Sequence, residues 1–240
     1  MMGLRRPPWW AMALTVVGML LFVRLGVWQL QRADYKDDLL RRYAAAAAAP
    51  VQPFATVADA AVAAFPRVQV RGRYLPDRQY LLDNPNHDHR GGVEVFAPFA
   101  VRGESRVLLV DQGFLSADGS GRALPMPPLP VGEIDLVGLY VPPPPVGFEM
   151  GGNALARQTQ WPKNSIYLDL TQVASDLDRA LYPRVLALDP DPASIYMRVH
   201  TLDFSSMPPA RHRAYAFQWF TFALAALVIL LVVNRKKRPR

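Results

Sequence analysis

The chain has no cysteine among its 240 residues. That excludes disulfides, thiolate nucleophiles, covalent c-type haem attachment and cysteine-based zinc sites within it. Histidine is scarce too, with four residues, His87, His89, His200 and His212. No P-loop, no G-x-S-x-G and no H-E-x-x-H occurs, so the common phosphate-cradling, esterase and zincin signatures are absent. The region between the chain's two apolar spans is roughly 185 residues, enough to bury a full core without covalent staples.

What is present is concentrated at the two ends. An apolar span runs from Trp9 to Val23, and reaches Trp28 if Arg24 snorkels; a second runs from Ala214 to Val233 without a charge. Roughly 20 residues at about 1.5 Å rise cross a hydrocarbon core of about 30 Å, so both are long enough to span. The formal net charge is +7, from 27 Lys plus Arg against 20 Asp plus Glu. Arg5, Arg6, Arg235, Lys236, Lys237, Arg238 and Arg240 supply the excess, and the rest of the chain is balanced. A basic chain can signal nucleic-acid binding, but basic ends flanking apolar spans read as orientation signals, and no nucleic-acid partner is expected. The positive-inside rule places both termini in the cytoplasm and the intervening domain outside, in the periplasm of a bacterium or the intermembrane space of a mitochondrion.

A cleaved signal peptide is the rival reading of the first span. Arg24-Leu25-Gly26-Val27-Trp28-Gln29 follows it, with no A-x-A at the usual distance, and the Ala44–Ala49 run comes too late. Trp9, Trp10 and Trp28 at the two ends also suit a retained, interface-anchored helix.

Helical character continues past Trp28 to Tyr43, and Pro50 and Pro53 stop it. From Pro66 the pattern changes to period two. Arg67–Tyr74, Gly92–Phe96 and Glu133–Tyr140 alternate as half-buried strands do; Arg106–Val110 reads as a central strand and Ser194–Val199 as a last one. Gly/Pro/Asp clusters separate them, Pro125–Pro130 and Pro142–Gly152 read as loops, and one helix is expected at Leu170–Ala180. The expected class is a membrane α+β protein: two transmembrane helices flanking one β-rich domain, a mostly antiparallel sheet or partial barrel. The expected organisation is a transmembrane helix in 1–30, an extracytoplasmic domain over 31–207, a second transmembrane helix over 208–234 and a basic tail at 235–240.

His87-Asp88-His89 has metal-like spacing but sits among Asn84-Pro85-Asn86 and Gly91-Gly92, where a solvated polar turn is the simpler account. A hydrolase using His87 or His89 with Asp88 lacks a nucleophile motif. The start of the second span is more informative. Pro208-Pro209 opens a helix on which His212, Tyr215 and Trp219 fall within an arc of about 60°. An imidazole over two aromatic rings suits a haem iron ligand, with Arg211 and Arg213 as partners for propionates. The same residues also suit an ordinary interfacial aromatic belt. On the first helix, Trp28, Arg32 and Lys36 cover an arc of about 80°, which suits either lipid headgroups or an anionic ligand or docking protein.

These segments resemble the Surfeit-locus family of cytochrome c oxidase assembly factors. The opening motif L-G-x-W-Q with a spaced Arg and Lys stands as Leu25-Gly26-Val27-Trp28-Gln29, Arg32 and Lys36. A V-x-V-x-G-x-(F/Y) strand stands at Val68–Tyr74. Val95-Phe96-Ala97-Pro98-Phe99 and Leu108-Leu109-Val110-Asp111-Gln112-Gly113-Phe114 match a middle segment. The closing H-x-x-Y-x-x-x-W-(F/Y) motif is His212–Phe220. Asp111-Gln112 departs from the family's usual Asn-Arg, and the stretch around Gln160-Trp161-Pro162 is reshaped.

The resemblance implies a non-enzymatic assembly factor or chaperone of the respiratory-chain oxidase, in the bacterial inner membrane as a multi-pass protein. It implies haem a as a bound client handled for insertion into oxidase subunit I, with haem a synthase as a further partner and membrane lipid as surroundings. The closing-motif histidine, His212, becomes the expected iron ligand. Tyr215 and Trp219 would pack the porphyrin, Arg211, Arg213, Arg32 or Lys36 would neutralise the propionates, and Trp28 belongs to the same expected cofactor-binding set. A cofactor-free scaffold holding subunit I is the alternative.

Overall fold

A computed structural model describes residues 7–59, 65–83, 91–117, 125–144, 155–198 and 207–235. His87, Asp88, His89 and His200 lie outside the described residues, as do Arg5, Arg6 and the tail beyond Arg235. The chain divides into a helical unit, Met1–Arg41 with Leu202–Arg240, and a β unit, Arg42–Thr201.

Two helices make the first unit. Helix α1 runs Trp9–Ala47, 39 residues, and starts on the Pro8 carbonyl, which accepts from Ala11 N at 3.0 Å. It ends just before Pro50, where a ring without an N–H cannot continue the ladder. Its length of 39 residues corresponds to about 58 Å, nearly twice a hydrocarbon core of about 30 Å. Helix α3 runs Pro209–Val233 with Pro209 in its first turn, where a missing N–H costs nothing. Both helices are long and apolar enough to cross a membrane, with mean hydropathy of 2.0 and 2.4 in their most apolar windows. Only 6% and 11% of those windows is buried by protein, so these faces are built for an apolar surrounding.

In the β unit, β2 (Arg67–Tyr74), β6 (Ile134–Val141), β8 (Leu181–Leu188), β5 (Val107–Ser116) and β4 (Gly92–Val101) pair in that order, and β4 pairs back onto β2. The closure makes a five-strand barrel in which each of these strands has neighbours on both sides. Strand β1 (Gln52–Pro53) adds to β2, β3 (Tyr80–Asp83) to β4, and β7 (Lys163–Ser165) to β3. Pro98 lies where the edge of β4 changes partner from β3 to β2. Its carbonyl accepts from Leu75 N at 2.9 Å on that edge, so the missing N–H falls in the gap between two partners.

Alternation along β2 sends Val68, Val70 and Tyr74 inward, where they meet Phe99, Leu108, Val110, Tyr140, Tyr182 and Leu186. Phe54, from a 3-10 turn after β1, packs edge-on against Tyr140 and Tyr182 at 5.2 and 4.9 Å. Fully burying one such ring contributes about 1.5–3 kcal/mol. Arg106 lies over the Tyr182 ring at 4.1 Å and grips Asp59 with two hydrogen bonds of 2.6 and 2.8 Å.

Three details correct the expectations from sequence. The strand expected at Ser194–Val199 is a single antiparallel bridge, Met197 to Phe114, and Val199 is outside the described residues. The helix expected to reach Ala180 is α2, Leu170–Leu177, because Asp178 turns left-handed at φ 52° and caps it. Strands β3 and β8 were not expected. The Leu181–Leu188 run carries Pro183 and Arg184 and lacks strict alternation, because Val185 is buried on the face opposite Tyr182 and Leu186; β8 runs parallel to β5 and antiparallel to β6.

Candidate functional site in the helical unit

The antiparallel contact of α1 with α3 follows a 4-3 spacing on both helices. On α1 it buries Gly26, Gln29, Ala33 and Lys36; on α3 it buries His212, Ala216 and Ala223, with Trp219 half-buried between them. That is a heptad seam, the pattern that keeps one stripe of each helix facing the other. At its apolar end Phe22 stacks on Trp219 at 5.8 Å and meets Phe222 edge-on at 5.8 Å. Gly26 has no side chain because Phe220 occupies the space: an added Cβ would lie 2.7 Å from the Phe220 ring.

At the polar end of the seam His212 Nδ1 meets Gln29 Oε1 at 2.6 Å. His212 is 5% exposed and Gln29 8%. With the amide oxygen toward the ring, Nδ1–H donates and Nε2 keeps its lone pair. Nε2 is buried without a hydrogen-bond partner, and so is Trp219 Nε1. A buried polar atom without a partner costs about 1–3 kcal/mol, so these two atoms on one stripe mark the seam as a place that can do more than pack.

The seam divides the residues singled out from sequence. His212 and Trp219 are in it, seven positions apart; Tyr215, 42% exposed, lies on its flank. On α1, Lys36 is buried and donates from Nζ to the Met207 carbonyl. Trp28, 50% exposed, and Arg32 lie outside the seam. The reason is geometric: an i, i+4, i+8 stripe drifts about 40° per step, whereas a seam of mean spacing 3.5 stays in register. Arg32 also lies over the Tyr35 ring at 5.2 Å. Arg213 pairs with Asp37, and Arg211 is exposed on the first turn of α3.

Sequence reasoning passed over Gln29, Phe22 and Asp37 as site residues. Gln29 carried a readable signal. It is the one amide on a stripe, Phe22-Gly26-Gln29-Ala33, that is otherwise apolar.

The β unit holds two further polar constellations. The β4–β5 register shifts between Val95 and Phe96, and Gln112 is the extra residue. Gly113 follows at φ 108°, and a Cβ there would sit 2.8 Å from the Met197 carbonyl oxygen. The bulge turns the Asp111 carboxylate onto Gly113 N–H at 2.9 Å and against Glu94. Burial pushes Asp111 up to about 6, opposed by the hydrogen bonds from the Glu94 side chain and the Gly113 N–H and by the Arg198 charge. Elsewhere Lys163 Nζ meets Asp176 Oδ1 at 2.5 Å, the Tyr80 hydroxyl donates to Asp176 Oδ2 at 2.9 Å, and the Trp161 ring lies 4.9 Å from Nζ. Burial first, then the Asp176 hydrogen bond, pushes the Tyr80 phenol well up. Trp161 and its neighbours thus close over a buried ion pair. Among the described residues no group of three His, Asp or Glu side chains is arranged to hold a metal ion.

The model of the SURF1 family matches residues 16–224, a range that takes in most of both helices and the whole barrel. The chain belongs to the SURF1 family. An uncharacterized SURF1-like protein of Mycobacterium bovis is 32% identical over 140 residues, covering 55% of this chain and 51% of that protein. Uncharacterized SURF1-like proteins of Mycobacterium tuberculosis match to the same extent. This chain spans about half the length of the curated relatives it matches. The SURF1 family is associated with cytochrome oxidase assembly, and its members are generally non-catalytic.

Proposed function

We propose that this chain is an assembly factor for a haem-copper cytochrome c oxidase, and that its α1–α3 seam handles haem a on the way to oxidase subunit I. The observation that carries the reading is His212 Nε2, a ring nitrogen buried in the seam without a hydrogen-bond partner. Imidazole nitrogen is a standard axial ligand for haem iron. The Trp219, Phe22 and Tyr215 rings supply apolar, polarizable surface for a porphyrin edge. Arg32 and Arg211 bring exposed guanidinium groups to the same end of the two helices, where carboxylates such as propionates pair well with arginine. In a bacterium the basic ends would hold both termini in the cytoplasm and the β unit in the periplasm. Haem a synthase and subunit I are the proteins on either side of this step.

Co-expression with haem a synthesis, followed by purification in detergent, is expected to give a Soret band that weakens in His212→Ala. An unchanged spectrum would sink the ligand assignment.

A second reading rests on seam closure. His212 is only 5% exposed, so its ring is already covered by this chain's own helix. A cofactor-free scaffold holding subunit I would then capture that subunit equally well with His212 or with Ala, and both proteins would be colourless.

A further inference from the structure

We propose that Gln29 is a positioning residue that holds His212 in the Nδ1–H tautomer and so keeps Nε2 available as a donor to a ligand. This rests on the haem reading for its purpose, but the tautomer itself is a property of the free protein.

A neutral imidazole has one N–H and one lone pair, and the partner of one nitrogen decides the state of the other. In water histidine favours the proton on Nε2. Here Gln29 Oε1 stands 2.6 Å from Nδ1, and Nε2 has no partner at all. Two arrangements are open. With the amide oxygen toward the ring, the contact is N–H to carbonyl, and the partnerless atom is an acceptor. With the amide reversed, its nitrogen donates to Nδ1, and the partnerless atom becomes a buried N–H. Buried N–H groups without acceptors are the rarer and costlier of the two. The seam therefore selects the tautomer opposite to the one water prefers.

The placement is itself specific. Gln29 and His212 come from helices far apart in sequence and occupy facing seam positions. Ala33 and Ala216 beside them are too small to compete for either polar group. An amide, unlike a carboxylate, orients the ring without adding a second charge that would pull a proton onto it. Metal-ligating histidines commonly depend on such a partner, and losing it weakens metal affinity by about 10–100-fold.

The test uses the full chain in detergent or nanodiscs, without haem, with histidine ring nitrogens labelled for NMR. The His212 signals are identified by their loss in His212→Ala. Wild type is expected to show a pyrrole-type Nδ1 and a pyridine-type Nε2. Gln29→Leu should move the ring toward the Nε2–H form, while Gln29→Glu, which keeps an acceptor, should retain Nδ1–H. Circular dichroism and melting curves of both variants check that the helices remain formed. Haem titration should then show affinity down by about 10–100-fold in Gln29→Leu. A wild-type ring carrying its proton on Nε2, or a tautomer unchanged in Gln29→Leu, overturns the proposal. Wild type that shows the Nδ1–H form, loses it in Gln29→Leu and takes up no haem upholds the positioning role and sinks the haem reading instead.

Discussion

Gln112 donates from its side-chain nitrogen to the Tyr74 hydroxyl at 2.7 Å, with both residues buried in the barrel. This is the position where the family resemblance leads one to look for arginine. A guanidinium does reach the bulge, but from Arg198, whose Nε donates to the Gln112 carbonyl at 2.9 Å. A neutral amide at 112 therefore fits a site that already has its positive charge. Burial, the largest influence on Tyr74, pushes its phenol up to about 12, so it remains a neutral hydroxyl at working pH.

Removing one partner of that pair strands the other. Tyr74→Phe is expected to destabilise the protein by about 1–3 kcal/mol, because the Gln112 amide loses its acceptor in a dry site. The double variant Tyr74→Phe with Gln112→Leu should cost less than the two single changes together. Chemical denaturation of the four proteins measures the coupling; strict additivity would show that the hydrogen bond contributes nothing.

Asp111 sets a pH dependence with a definite direction. Its carboxyl lies at about 6 in the folded protein against an ordinary 3.8, chiefly through burial, with Glu94, Arg198 and Tyr43 facing it. Between about pH 4 and 6 the unfolded chain has lost this proton and the folded chain keeps it. Stability from this group is therefore greatest in acid and declines as pH rises through that window. Asp111→Asn keeps the shape and an acceptor for Gly113 N–H and carries no charge at any pH. We expect a melting temperature higher by a few degrees at pH 7 and a flatter profile from pH 4 to 7. Thermal melts across that range decide it, and an undiminished slope in the variant would count against the assignment.

Lys163 and Asp176 form an ion pair with side chains only 9% exposed on each side. Lys163→Met leaves a carboxylate buried without its counter-charge, and among the described residues the Tyr80 hydroxyl is left to support it. The expected loss is about 3–5 kcal/mol, whereas replacing both residues with apolar ones of similar volume should recover much of it. Urea denaturation midpoints at constant slope provide the comparison. A single variant as stable as wild type would mean that water reaches the pair.

The helical unit predicts a steric rescue. Gly26→Val places atoms where the Phe220 ring now lies, with the first added carbon only 2.7 Å from it. Overpacking of this kind costs about 1–3 kcal/mol. Phe220→Ala on the same chain should return part of the loss by vacating the space. Melting of the detergent-solubilised variants tests this, and equal destabilisation with and without Phe220→Ala would place the clash elsewhere.

Much of the architecture was legible in the residues themselves. Two apolar runs of spanning length, the first interrupted by Arg24 alone and the second free of charge, dictate long apolar helices, since a membrane core accepts little else. Pro8, Pro50 and Pro208-Pro209 mark their ends because proline lacks an N–H. Period two from Arg67 to Tyr74 marks a half-buried strand for an equally local reason. Closure was not legible. Nothing within β2 or β4 states that Gly72–Tyr74 pairs with Phe99–Val101, because barrel closure depends on twist and stagger summed over five strands. The Leu181–Leu188 strand was missed because Pro183 and Arg184 interrupt its apolar pattern and Val185, on the face opposite Tyr182 and Leu186, is buried as well, so no clean period of two is left to read.

The candidate site divides the same way. Sequence alone determined that His212, Tyr215 and Trp219 occupy neighbouring positions on one helix, because helical periodicity is a local property. Only the tertiary structure decided that His212 and Trp219 enter the seam while Tyr215 and Trp28 stay outside it, and that Gln29 is the residue His212 meets. Which stripe of α3 faces α1 depends on the register between two segments nearly 200 residues apart. That register is chosen by small-residue packing such as Gly26 beneath Phe220, a choice that neither helix makes alone.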